Sequence, residues 1–229
     1  MATRDSVDFP ASGSDSREIE WQLAVADLQV VRDWLSAHPK IGALLIQPRP
    51  RQILRDTYLD TGDWRIFRAD FALRLRETSE GAEATLKSLR SAQADRADRR
   101  EITEPLSAPT DWLRNAPGLV GSRVRALADG GALKSLFTVH TTRERFAVHN
   151  PLHPADIGEI ALDATEFRSP AGVSLGHLQR VEVEALGPPL AALERLVQTL
   201  ETGCGLEPGP ESKFAVGLRL AGLVTPPPM

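Results

Sequence analysis

Like charges two residues apart recur along this chain: Glu18 with Glu20, Arg74 with Arg76, Arg143 with Arg145, and Glu182 with Glu184. Arg99 with Glu101, and Lys87 two places after Thr85, follow the same spacing. Residues i and i+2 share one face of a β-strand, so each pair would crowd its charges on one side of a sheet while apolar neighbours take the other. For a single pair, a solvated sheet face is explanation enough. Same-sign doublets on strand after strand are harder to place in water alone, because like charges side by side repel unless something neutralises them.

The rest of the chain agrees with strands. Its 17 Gly and 17 Pro divide it into segments mostly too short for long helices. Eight runs read as strands: Arg17–Val25, Gln52–Asp60, Asp70–Glu77, Glu83–Leu89, Arg99–Glu104, Leu136–Val148, Ile157–Phe167 and Leu178–Leu186. Eight is enough to close a barrel. A helix capped by Asp27 carries Leu28, Val31 and Leu35 and stops at Pro39; another starts near Pro188 and Pro189, carries Leu190, Leu193, Val197 and Leu200, and stops at Gly203. One or two short helices are expected between Pro105 and Gly131, and a helix or extended segment over Glu211–Leu220. Residues 1–16 and 223–229 read as tails, and Ser91–Asp98 as an exposed, mobile loop. The fold class is α+β and β-rich.

Composition narrows the function classes. With 27 Lys plus Arg against 31 Asp plus Glu, the net charge is -4, so no global field favours nucleic acid or anionic lipid. Cys204 is the only cysteine, which forbids an internal disulfide and a cysteine zinc cage. Together with an N-terminus that lacks a basic start and an apolar middle, it points to the cytoplasm. No apolar run approaches the ~20 residues of a spanning helix, so no membrane partner is expected. A P-loop is absent, Pro151 and Pro154 forbid a helical His149/His153 zinc pair, and the Gly172–Gly176 elbow pattern is followed by a strand rather than a helix.

The doublets suit two kinds of ligand. Glu18, Glu20, Glu182 and Glu184, with Glu101 and Asp163, offer the oxygen donors preferred by Mg²⁺ or Mn²⁺. Arg74, Arg76, Arg143 and Arg145 with Lys87 read as a polyphosphate clamp, since guanidinium forks grip phosphate oxygens bidentately. Adding Arg99 and Lys213, seven cations face six carboxylates, so a triphosphate with one or two divalent cations could enter without leaving a large uncompensated charge, and either alone would fit worse.

Nine motifs in order, Glu18-Ile19-Glu20, Tyr58-Leu59-Asp60-Thr61, Leu73-Arg74-Leu75-Arg76, Thr85-Leu86-Lys87, Arg99-x-Glu101, Arg143-Glu144-Arg145, Ile160-Ala161-Leu162-Asp163, Val181-Glu182-Val183-Glu184 and Ser212-Lys213, resemble the CYTH family of triphosphate tunnel metalloenzymes. They are most similar to the bacterial inorganic triphosphatase branch. The resemblance implies a CYTH domain over residues 17–222, built as an eight-stranded antiparallel β-barrel tunnel with flanking helices. It implies a metal-dependent hydrolase that releases orthophosphate from a small triphosphate. Arg74, Arg76, Lys87, Arg99, Arg143, Arg145 and Lys213 would hold phosphate; Glu18, Glu20, Asp163, Glu182 and Glu184 would bind Mg²⁺ or Mn²⁺; Glu18, Glu20, Glu101 and Gln22 would serve catalysis. The family's first motif is Glu-x-Glu-x-Lys, with Gln22 here at its third position, and Thr103 replaces a Glu of the Arg-x-Glu-x-Glu strand. Gln22 keeps open a second expectation, a binding module with weakened turnover; an adenylate cyclase of the same fold is a third. The helical CHAD domain that many members carry is not expected here, and a homodimer is the commonest closed assembly.

Overall fold

The computed structural model describes residues 13–90, 96–106, 113, 116–209 and 211–224. In chain order its elements are β1 (Ser14–Ala24), α1 (Leu28–Ala37), β2 (Lys40–Ile41), β3 (Leu44–Thr61), α2 (Arg65–Arg68), β4 (Phe71–Thr78), β5 (Gly81–Ser88), β6 (Ala97–Leu106), α3 (Leu119–Ala128), β7 (Leu133–His149), β8 (Asp156–Arg168), β9 (Ser174–Ala185), α4 (Leu190–Cys204), β10 (Glu207–Pro208) and α5 (Lys213–Leu220). Eight strands hydrogen-bond in the order β1-β6-β5-β4-β3-β7-β8-β9, and β9 returns to β1, so the antiparallel ladder closes into a ring. The expected tunnel of eight antiparallel strands is thus present, with β2 and β10 as two-residue additions on β3 and β1.

The ring is built with its charges inward. Val181 and Val183 are fully buried beneath helices, while Glu182 and Glu184, alternating with them, line the interior. Leu73 and Leu75 alternate with Arg74 and Arg76 in the same way. Outside, α1 and α4 cover β8 and β9 through Leu28, Val31, Leu193, Leu196 and Leu200. A second apolar cluster joins Leu73, Leu86 and Ile102 to Ile66 of α2 and Val120 and Val124 of α3. A third packs Phe214, Val216 and Leu218 of α5 against Tyr58, Phe137 and Phe167. The first two clusters lie between sheet and helices, whereas Tyr58, Ala72 and Phe214 of the third also line the lumen and share it with the charged groups. Among the described residues no helix is long and apolar enough to cross a membrane.

Several boundaries differ from the sequence expectation. β1 starts at Ser14 because Ser14–Ser16 pair with Thr103–Glu101 of β6, so three residues assigned to a tail are strand. Ala97 and Asp98, expected in a mobile loop, begin β6 and are buried; residues 91–95 of that loop, and 1–12 and 225–229 of the tails, lie outside the described residues. β3 begins at Leu44, not Gln52, since Pro48 sits in the ladder opposite Phe146 and the irregularity between Arg49 and Gln52 takes up Pro50. Helix α4 runs through Gly203 to Cys204: a Cβ at 203 would stand 2.8 Å from the Trp34 ring, so this glycine serves close packing and Gly205, at φ 65°, ends the helix. Asp27 caps α1 as expected, accepting from Gln29 N at 2.8 Å.

Candidate functional site

The interior of the ring holds a cavity of about 220 Å³ with walls from β1, β3, β4, β5, β6, β7, β9 and α5. Six carboxylates (Glu18, Glu20, Glu83, Glu101, Glu182, Glu184) and six cations (Arg74, Arg76, Lys87, Arg99, Arg143, Lys213) line it. Cross-strand register brings them together from distant parts of the chain. Glu20 stands opposite Glu184, Gln22 opposite Glu182, Glu18 opposite Arg99, and Lys87 opposite Glu101.

The cavity is divided by sign. On one side Glu18, Glu20, Glu101 and Glu184 gather about one ammonium, Lys87. Its Nζ contacts Glu18 and lies 3.5 Å from Glu20 and 3.2 Å from Glu101. One cation cannot balance four carboxylates in a buried place. Burial, and then the charge of Glu20, push the Glu18 carboxyl up to about 8 and that of Glu184 up to about 7. Glu101 is likewise opposed by burial, but Lys87 and Arg74 bring it below its ordinary value.

The other side is cationic. Burial would raise the Asp56 carboxyl, but the charge and the paired hydrogen bonds of Arg76, at 2.7 and 2.8 Å, hold it at about 2. Arg143 spans Asp163 and Glu182 at 2.6–2.8 Å, and Lys213 Nζ bonds the same two carboxylates at 2.6 and 2.7 Å. Against the penalty of burial, those two cations keep Glu182 well below the usual carboxylate range. Arg74 and Arg99 keep buried Nε–H groups with no hydrogen-bond partner. Such donors normally find an acceptor, and both side chains belong to the lining of the cavity.

Lys213 arrives from α5, whose Ser212 cap accepts from Ala215 N at 3.2 Å. The helix can approach the ring because residue 217 is glycine: a Cβ there would stand 2.1 Å from the Phe137 ring. Gly217→Ala is therefore expected to cost about 2 kcal/mol through overpacking, a fall of about 4–8 °C in melting temperature. A melting temperature within 1 °C of the unaltered chain would refute this account of α5.

Of the residues singled out in the sequence, Glu18, Glu20, Gln22, Arg74, Arg76, Lys87, Arg99, Glu101, Arg143, Glu182, Glu184 and Lys213 meet at this cavity. Two do not. Arg145 shares the face of Arg143 but lies beyond the cavity, paired with Glu159 at 2.6 Å and bordering a surface depression with Arg32 and Arg49. Asp163 is fully buried behind the wall, with its oxygens taken by Arg143 and Lys213. Glu182 is in the wall, with its oxygens held by the same two cations. The sequence reading missed Asp56, Glu83 and Arg180. Asp56 lies two places from Tyr58 on the inner face, and Arg180 two places before Glu182, so the period-2 pattern carried both to one more position.

Fold and site together define a tunnel protein: a closed ring of antiparallel strands around a lumen of segregated acidic and basic side chains. The CYTH domain family model matches residues 17–217, and the chain belongs to that family. No curated protein matches it. Among solved structures, HpAC1 of Hippeastrum, proposed as an adenylyl cyclase and described with a dominant triphosphatase activity, aligns with a TM-score of 0.66 at 18% identity, covering 91% of this chain and 98% of its own. PH1819 of Pyrococcus horikoshii OT3 aligns at 0.57 with 20% identity, covering 88% and 98%. A Bacillus halodurans protein proposed as an adenylate cyclase aligns at 0.54 with 22% identity, covering 86% and 96%. At these identities the likeness is one of fold.

Proposed function

We propose that the chain is a triphosphatase that takes inorganic triphosphate, or another small triphosphate, together with a divalent cation, and releases orthophosphate. The observation that carries this reading is the division of one cavity into a carboxylate cluster with too little positive charge and a cationic wall with donors to spare.

The carboxylate cluster fits Mg²⁺ or Mn²⁺ by donor chemistry: four neighbouring carboxyls, two of them pushed toward neutral by desolvation and by the charge of Glu20. Among the described residues no three such groups already converge at ligand distance, because Lys87 stands between them. Lys87, now paired with these carboxylates, would supply its ammonium to a phosphate oxygen of the substrate. Glu18, Glu20, Glu101 and Glu184 would hold the cation, which when bound supplies charge against the developing phosphoryl oxygens.

Arg74, Arg76, Arg143 and Lys213 bind the phosphate chain, with Arg99 reaching it from beside Glu18, and set its terminal phosphorus toward the carboxylates. Arg76 is fixed by Asp56, and Arg143 and Lys213 by Asp163 and Glu182, so their heads are placed before substrate arrives. A water beside Glu18 or Glu184 gives up a proton to a carboxylate as its oxygen attacks. The bridging P–O bond breaks, and the remaining phosphates leave as the charged leaving group. No side chain needs to form a covalent intermediate.

Phosphorus NMR tests the reaction class. Tripolyphosphate with protein and Mg²⁺ should give orthophosphate and pyrophosphate in equal amounts, and ATP should give no cyclic product. Cyclic AMP with pyrophosphate from ATP would replace the hydrolase reading with the cyclase one.

A further inference from the structure

Gln22 stands between two groups of opposite kind. Its Nε2 donates to Glu20 Oε1 at 2.6 Å, and its Oε1 accepts from Arg180 Nη1 at 3.1 Å. A guanidinium only donates and a carboxylate only accepts, so chemistry fixes which end of the carboxamide faces which neighbour. A lysine at position 22 would have no acceptor to offer Arg180 and would set two cations side by side. Arg180 is 3% exposed and lies on β9 in the inward phase of Glu182 and Glu184. Its described hydrogen bonds go to neutral oxygens, that of Gln22 and the Glu211 carbonyl just before α5. Arg180 thus holds the Gln22 carboxamide oxygen and leaves its Nε2 turned to Glu20, while the guanidinium charge itself acts on Glu182 and Glu211.

We propose that Arg180 and Gln22 form one unit, in which Arg180 fixes the Gln22 carboxamide and Gln22 in turn orients the Glu20 carboxylate by donating to its Oε1. Arg180 is then a positioning residue for the carboxylate that helps hold the divalent cation. The glutamine at the motif's third position is a matched replacement for lysine and not a loss. This inference rests on the cation site assigned under the proposed function.

A double-mutant cycle tests it, with two readouts: the dissociation constant for Mn²⁺ alone, measured from the free-ion EPR signal, and the tripolyphosphatase rate. Outer partners of metal ligands typically contribute 10–100-fold in affinity. Gln22→Lys alone and Arg180→Gln alone should each weaken Mn²⁺ binding about tenfold. The double variant should return to within about threefold of the unaltered protein, because the new lysine can donate both to Glu20 and to the new carboxamide oxygen at position 180, with no guanidinium beside it. Stronger or unchanged Mn²⁺ binding in Gln22→Lys, or losses that multiply in the double variant, would overturn the inference. Where Arg180→Gln does not fold, Gln22→Lys by itself decides, since its altered head lies in the cavity. An unaltered protein that binds Mn²⁺ with the predicted coupling but releases no phosphate defeats the hydrolase reading alone. One that hydrolyses tripolyphosphate without the coupling defeats this inference alone.

Discussion

Glu184→Ala should lower metal-dependent phosphate release from tripolyphosphate by about 10²–10³-fold, the usual scale for removing one preorganised electrostatic group. Glu184 stands opposite Glu20 across the β1–β9 ladder and lines the cavity beside the three other carboxylates that surround Lys87. Unlike Glu182, it has no cation bonded to it among the described ion pairs, so its oxygens are the ones free to take a metal ion. Binding should respond differently. The cationic wall is untouched in this variant, and tripolyphosphate should still raise the melting temperature, whereas Arg143→Ala should abolish that rise. Steady-state rates together with thermal shifts separate the two. A rate loss under about fivefold in Glu184→Ala would place the metal elsewhere.

The second large effect is on stability against pH. Glu18 and Glu184 have folded-state values of about 8 and about 7, above the ordinary value of 4.5. Between those limits the folded chain binds more protons than the unfolded one, so stability falls as pH rises toward 8. Asp56 works in the opposite sense and lower down: held at about 2, it adds stability above about 4 that is lost only in acid. Each tenfold change in proton affinity carries about 1.4 kcal/mol, and 1 kcal/mol moves the melting temperature of a chain this size by about 2–4 °C. In chelator, the melting temperature should fall by about 5 °C or more from pH 6 to pH 9. With saturating Mg²⁺ the slope should flatten, because the cation takes over the role of the protons. An identical slope with and without Mg²⁺ would refute the cluster as a metal site.

The inner face of the ring could be read before the fold was known because period 2 needs no tertiary information: Val181-Glu182-Val183-Glu184 shows its two faces by itself. Its closure could not, since the β1–β9 pairing joins residues more than 150 places apart and leaves no local trace. Closure entered only through family resemblance. Period 2 also fails to say how far along the tunnel a side chain stands. Arg145 repeats the phase of Arg143 one step on and lies outside the cavity, where Glu159 takes it. Asp163 sits among apolar neighbours in its motif and proves to be a support for Arg143 and Lys213. Arg180 was passed over because the doublet pattern looks for like charges, and it begins a run in which the sign changes. Pro48 and Pro50 hid nearly half of β3, from Leu44 up to Gln52, as breakers do when a bulge accommodates them.

The central claim is that one lumen holds a triphosphate and a divalent cation and breaks the terminal anhydride bond. Its most direct test is orthophosphate release from tripolyphosphate by the purified chain in Mg²⁺, in Mn²⁺ and in chelator. The account predicts multiple turnovers in one or both metals and none in chelator. Release that persists in chelator, or an absence of release in both metals, would contradict it.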